Sequence, residues 1–275
     1  MSITVKDIER SLIKTYRKPI WKPFIDAINE FELIKENDKI AICISGGKDS
    51  MLLAKLMQEI QRHGKIKFHM EFLAMDPGYN KKNKDEIFIN AEKMGIPIKM
   101  FNSDIFEVSE KLNKEHPCYL CARMRRGFLY NKAQKMGCNK IALGHHMDDV
   151  IETTLLNICY AGSYKTMLPK LKSANFEGME LIRPMFYIKE HDILNFVRFS
   201  QCEFMQCGCK IAEKKDGSKR SEMKELIKYM KILNNDIDKS IMRSAFNVNL
   251  DGVLGFKSKG EKHSYLDFYD DEIYN

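Results

Sequence analysis

The chain holds no run of about eighteen apolar residues, the length that a membrane-spanning helix requires, so no membrane partner is expected. Its opening residues, Met1-Ser2-Ile3-Thr4-Val5-Lys6-Asp7, contain no apolar signal core, and a cytoplasmic location is expected. Internal repeats and low-complexity tracts are missing, which sets aside solenoids and disordered linkers. The phosphate-binding pattern G-x-x-x-x-G-K-[ST] is missing as well. Tryptophan occurs once, at position 21, where its default role is to anchor a break between two N-terminal helices.

With 44% hydrophobic and 30% charged residues, the 275-residue chain can bury a full α/β core and a small extra element. A formal net charge of +7 tilts the expected partner only slightly toward a polyanion. Eight cysteines in a cytoplasmic chain of this size do not read as a disulfide framework. Cys43, Cys138 and Cys159 fall in or beside strand-like and helix-like runs and read as buried small hydrophobes. Cys118, Cys121, Cys202, Cys207 and Cys209 are left for chemistry.

Residues 1–36 read as a helical extension interrupted by Pro19 and Pro23. From 37 to 188, strand-like and helix-like runs alternate. The strands are Ile40–Ile44, Lys67–Met75, Ile98–Phe101, Lys140–Leu143 and Leu181–Ile182. The helices are Met51–His63, Asp85–Met94, Asp104–Asn113, Tyr119–Met136 and Asp149–Tyr160. This alternation predicts an α/β fold with a doubly wound, parallel, Rossmann-like sheet. Residues 189–275 read as a C-terminal helical region on the same core, with helices over Asp192–Phe199, Ser221–Leu233 and Asp236–Ala245. Lys214–Arg220 reads as a solvated basic loop. Ligands of such sheets bind beyond the carboxyl ends of the strands. That rule gathers Ser45–Ser50, Asp76 and Gly144–Asp149 at one edge.

Ser45-Gly46-Gly47-Lys48-Asp49-Ser50 joins a strand to a helix. Unpaired N–H groups and the helix dipole favour an anion there, and two glycines let the backbone approach it. Lys48 adds a full charge, and Ser45 and Ser50 add hydroxyl donors. Cys118-x-x-Cys121 opens a helix, a spacing that suits a redox pair, half a zinc site or part of an iron–sulfur cluster. Spacing alone does not choose between zinc and iron. Arg123, Arg125 and Arg126 follow the pair, where a phosphate or tRNA backbone is a natural partner. Asp148 and Asp149 close the segment Leu143-Gly144-His145-His146-Met147-Asp148-Asp149, as a helix cap or as groups that orient Mg²⁺ or the attacking group.

Ser45–Ser50 resembles the pyrophosphate loop of the PP-loop ATP pyrophosphatases, which split ATP into AMP and pyrophosphate by adenylating an oxygen that is then displaced. The cysteine pair with Arg123-Met124-Arg125-Arg126-Gly127, the Leu143–Asp149 segment and Ile182-Arg183-Pro184 extend this to one branch. The chain resembles the tRNA 2-thiocytidine synthetases. That resemblance implies ATP-dependent thiolation of a tRNA cytidine at O2, with a [4Fe–4S] cluster on Cys118, Cys121 and Cys207. The better-known members have C-x-x-C at the third ligand, where this chain has Cys207-Gly208-Cys209, so Cys209 and Cys202 stay open. A related uridine-thiolating branch carries terminal zinc fingers; no cysteine precedes Cys43 or follows Cys209.

On this reading Ser45, Gly46, Gly47, Lys48, Asp49, Ser50, Asp76 and Gly144 bind ATP, and Mg²⁺ neutralises the leaving pyrophosphate. Lys48, Asp148 and Asp149 are the catalytic residues, and Arg125, Arg126 and Arg183 contact tRNA or phosphate. Sulfur arrives as hydrosulfide or from a sulfur donor protein, and a homodimer stays open. The alternatives are another adenylating PP-loop enzyme, acting on a different base or a small molecule, and an RNA-binding module stabilised by zinc.

The third ligand is testable by single alanine variants of Cys202, Cys207 and Cys209, purified anaerobically and assayed for iron and sulfide. The resemblance puts the third ligand at Cys207, so the cluster should be lost in Cys207→Ala alone. Retention there with loss in Cys209→Ala moves the ligand by two positions. One equivalent of zinc in place of iron removes the cluster altogether.

Overall fold

A computed structural model describes residues 3–112, 117–204 and 219–269 of the chain. Its central strand, β1 (Lys39–Ile44), is apolar at every position from Ile40 to Ile44, as a strand covered on both faces must be. β2 (His69–Asp76), β3 (Lys99–Asn102), β4 (Lys140–Ala142) and β6 (Glu180–Ile182) extend it in parallel, and β5 (Lys170–Lys172) adds an antiparallel edge to β6. The order is β3-β2-β1-β4-β6-β5.

Strand side chains alternate between faces, and the core divides accordingly. Ile40, Ile42 and Ile44 of β1, with Phe72 and Ala74 of β2, Ala142 of β4 and Ile182 of β6, face one cluster. That cluster also holds Met51, Leu52, Leu53 and Leu56 of α3 (Lys48–His63) and Ile193 and Phe196 of α8 (Glu190–Ser200). Ala41, Cys43, Leu73, Ile141 and Leu181 face the other way, against Tyr130 and Ala133 of α6 (Pro117–Lys135). The expected doubly wound sheet is therefore present, with α4 (Lys81–Lys93), α5 (Ile105–Leu112) and α7 (Met147–Ala161) completing its crossovers.

The N-terminal extension shares the first cluster through Ile8 and Leu12 of α1 (Val5–Ile13), Ile20, and Phe24 and Ile28 of α2 (Lys22–Glu30). Pro19 and Pro23 have no N–H, and an unbroken α-helix is not sustained between the two helices. A π turn over Arg17–Trp21 fills the gap, with the N–H groups of Ile20 and Trp21 both donating to the Tyr16 carbonyl. Trp21 sits in that turn against Phe24, with ring centroids 5.7 Å apart.

Three expectations change. Cys159 is exposed, because the segment Ile158–Tyr160 of α7 turns to solvent. Lys219 and Arg220 do not belong to a loop; they open α9 (Lys219–Leu233), which is followed by α10 (Ile237–Ser244). The region read as helical also contains a hairpin, β7 (Gly255–Ser258) and β8 (Glu261–Ser264). Lys259 and Gly260, at φ 51° and 93°, form the left-handed two-residue turn that joins its strands. The remainder of the basic loop, with Cys207 and Cys209, lies outside the described residues.

A buried ion pair ties the extension's exit to the sheet. Lys140 Nζ lies 2.7 Å from Asp38, 3.4 Å from Glu180 and 2.9 Å from the Leu33 carbonyl that accepts from it. Burial raises the Asp38 pKa, but Lys140, Asn139 and the Lys35 N–H outweigh burial and lower it overall. A depressed carboxylate stabilises the fold above its unfolded pKa of about 3.9 and loses that contribution as pH falls through the folded value. Asp38→Asn should therefore cost about 3 kcal/mol at pH 7. In urea titrations from pH 5 to pH 3, the gap between wild type and variant should shrink.

Candidate active site

The chain order reverses on either side of β1 and β4, and the loops after these strands open a crevice. A cavity of about 310 Å³ lies there, lined by Cys43 and Ile44 of β1, Ser45 just beyond it, Asp49 and Ser50 of α3, and Met75 of β2. Leu143, Gly144, His145 and Asp149 close it from the β4–α7 segment, and Arg125 and Leu129 from α6. Gly46 adopts φ 82°, a left-handed conformation natural to glycine, and Gly47 caps α3 in extended conformation. The Ser50 hydroxyl donates to the Gly47 carbonyl at 2.9 Å and accepts from the Ser45 N–H at 3.1 Å, locking the turn. Across the crevice, a Cβ on Gly144 would stand 2.9 Å from the backbone carbon and oxygen of Asp49. Only glycine lets the two loops touch.

The charged groups are organised by burial. His146 is buried with its ring nitrogens 3.5 Å from Asp149, 3.7 Å from Asp148 and 3.8 Å from Asp49. Burial lowers its pKa, but the carboxylates outweigh burial and raise it overall. Lys48 Nζ lies 3.1 Å from both Asp49 and Glu190, the first residue of α8. Burial opposes its charge, yet the two acids raise its pKa, so it stays an ammonium. Asp49 Oδ1 is buried and accepts no hydrogen bond, although that ammonium is close. The adjacent aspartates separate. Asp149 lines the cavity, accepts from the His146 N–H at 3.0 Å and from Arg220 at 3.0 Å. Asp148 instead accepts from the Glu190 N–H at 2.7 Å, supplying the cap that Lys189, at the N-cap of α8, does not.

Residues 16–208 match the PP-loop domain family. The chain is 37% identical over 233 residues to the tRNA-cytidine(32) 2-sulfurtransferase of Bdellovibrio bacteriovorus, covering 83% of this chain and 88% of that protein. It is 35% identical over 239 residues to the protein of the same name from Geobacter metallireducens, covering 86% and 91%. The chain belongs to the PP-loop family, among the tRNA-cytidine 2-sulfurtransferases. In fold it is similar to the U34-tRNA thiolase NcsA from Methanococcus maripaludis, solved with its [4Fe-4S] cluster. That likeness has a TM-score of 0.61 at 22% identity and covers 81% of this chain and 76% of the other.

Within this PP-loop framework the expected site residues divide. Ser45, Asp49, Ser50, Gly144, Asp149 and Arg125 meet in one cavity, with Lys48 beside it. Asp76 does not line the cavity. Its carboxylate accepts from the N–H groups of Gly78 and Tyr79 at 2.9 and 2.7 Å and pairs with Lys84, so it shapes the β2–α4 turn. Arg126 is exposed on α6. Arg183 is half-buried, donating to the Leu168 carbonyl and, at 3.3 Å, to His145 Nδ1. Burial lowers the pKa of His145 to about 4, with Arg183 pushing the same way against Asp149. The imidazole is therefore neutral, and accepting at Nδ1 leaves its proton on Nε2. The sequence leaves His145 and His146 evenly between a loop feature and a functional role; Arg183, the partner of His145, lies 38 residues away.

Cys121 is half-buried on α6, one turn before Arg125 and two before Leu129, which line the cavity. Position 118 lies one turn nearer the helix start, behind Pro117 at the first helical position. Cys202 is buried in the first cluster and its Sγ lies 3.7 Å from the Ser200 carbonyl, so it packs as a core residue. Cys43 and Cys138 are buried, with pKa values pushed up to about 12 and about 11 by desolvation.

The two aspartates give a discriminating pair of variants. Asp149→Asn should leave thermal stability near wild type and lower turnover at least tenfold. Asp148→Asn should cost about 1 kcal/mol through the weakened α8 cap. Thermal melts with steady-state assays separate the two, and equal turnover losses with unchanged melts would contradict the assignment.

Proposed function

We propose that this protein is an ATP-dependent tRNA sulfurtransferase that exchanges O2 of a cytidine for sulfur. The names of its relatives support cytidine 32 as the target. The carrying observation is the cavity itself, where the phosphate-cradling turn meets the Gly144–Asp149 segment and the α6 stripe that begins with the cysteine pair. ATP places its β- and γ-phosphates against the N–H groups that open α3, with the Lys48 ammonium beside them. The cytidine O2 attacks the α-phosphorus, the bond to pyrophosphate breaks, and the base oxygen becomes part of AMP. Hydrosulfide, free or delivered by a sulfur donor protein, then forms a bond at C2 as the bond to AMP breaks.

Magnesium accompanies the phosphates in this reading. Such an ion keeps several waters and binds through phosphate oxygens and one or two carboxylates. Asp49, with its unsatisfied Oδ1, and Asp149 are those carboxylates. His145 directs its Nε2–H as a fixed neutral donor for negative charge that develops in the cavity. Thiols three residues apart at a helix start suit a [4Fe–4S] cluster, held by Cys118 and Cys121 with Cys207 as the third ligand. Such a cluster would leave one iron without a protein ligand, where sulfide could bind. Reaction and location are cytoplasmic in this reading.

Lys48→Ala tests the phosphate site. Turnover, followed by pyrophosphate release and by mass spectrometry of tRNA nucleosides, should fall by about 10²–10³-fold. Iron and sulfide content should match wild type. A variant with full turnover removes Lys48 from the reaction.

A further inference from the structure

A second cleft, of about 520 Å³, lies on the N-terminal extension, away from the cavity. Lys14, Arg17, Lys18, Trp21, Lys22 and Ile25 line it, with Thr15. Their spacing of three and four residues makes them one stripe running through the π turn into α2. The opposite stripe, with Ile20, Phe24, Ala27 and Ile28, is buried. No acidic residue occurs between Glu9 and Asp26. Lys22 pairs with Asp26 at 2.6 Å, whereas Lys14, Arg17 and Lys18 make no ion pair among the described residues. The chain's one tryptophan, half-buried against the first cluster, is therefore set among four cations at the mouth of this cleft.

We propose that this cleft is a docking site for a segment of RNA, its phosphates against Lys14, Arg17 and Lys18 and an unstacked base against Trp21. Cations that track a backbone beside an aromatic ring that accepts a base are the two elements of single-stranded RNA binding. A solvated charged face would not need the indole, and a packing tryptophan would not need the unpaired cations. α8 connects the cleft to the cavity. Tyr16 donates to the Asn195 carbonyl at 3.0 Å and packs on Phe196 and Phe199, while Glu190 of the same helix pairs with Lys48. Nine residues of helix rise about 14 Å, so one folded RNA can reach both sites. The ligand being the substrate tRNA rests on the proposed function; the cleft's taste for RNA does not.

The holoprotein is titrated with unmodified tRNA, following the fluorescence of Trp21, the single tryptophan, and binding at several salt concentrations. Wild-type fluorescence should be quenched. The triple variant Lys14→Ala/Arg17→Ala/Lys18→Ala should lose at least tenfold in affinity at moderate salt. Its slope of log affinity against log salt should drop by about two. ATP binding should be unchanged in the variant. Trp21→Phe should retain the salt slope while binding more weakly. Unchanged tRNA affinity and slope in the triple variant overturn the proposal, as does quenching by polyglutamate but not by tRNA, which would mark an acidic protein as the partner. A wild type that binds tRNA here but thiolates none sinks the proposed function and leaves the docking site standing.

Discussion

The contact between Gly144 and the backbone at Asp49 is the constraint on which this site depends. Two strands that neighbour each other in the sheet deliver two loops from distant parts of the sequence, and the loops meet without a side chain between them. Because they meet, the glycine turn at Ser45–Ser50 and the segment that carries His145 and Asp149 share one cavity. A parallel sheet makes such convergence natural, since successive crossovers bring their loops to the same edge. Gly144 sets how close it becomes.

Around this contact the charges alternate in sign over several elements. Lys48 meets Glu190 at 3.1 Å, Glu190 meets Lys224 at 2.9 Å, and Lys224 lies 3.6 Å from Glu152. Arg220 continues from Glu152, at 3.7 Å, to Asp149, at 3.0 Å. Each link is partly solvated and individually weak. Together they hold the first turns of α3, α7, α8 and α9 in register. Glu152 is the strained member: burial raises its pKa, and its Oε2 accepts no hydrogen bond. An anion reaching Lys48 would compete with Glu190 for the same ammonium, which would link occupancy of the cavity to the position of α8 and α9.

How much of this was legible in the sequence depended on whether the signal was local. The turn at Ser45–Ser50 was readable because strand, glycines and helix are consecutive, and the alternation of apolar runs gave the doubly wound sheet. Asp148 and Asp149 could not be told apart, because their difference is which one reaches the N–H of Glu190, more than forty residues on. The pairing of His145 with Arg183 and of Asp149 with Arg220 was hidden for the same reason. Asp76 looked like a site residue from its place at a strand end, but the turn after β2 consumes its carboxylate. The edge strand β5 is three residues long and mostly polar, too short for its period to register. The turn at Lys259-Gly260 carries only its glycine as a local signal, because the strands on either side are four residues long with one ring each.

The buried thiol of Cys43 matters for selectivity. It forms part of the cavity wall, so a protein that handles reactive sulfur there has a cysteine within reach of its own reagent. Desolvation pushes that thiol's pKa up to about 12, so at neutral pH it stays protonated. A protonated thiol is a poor nucleophile toward persulfides and oxidants. The apolar floor of the cavity thus acts as passivation, keeping this thiol out of the sulfur chemistry proposed for Cys118 and Cys121.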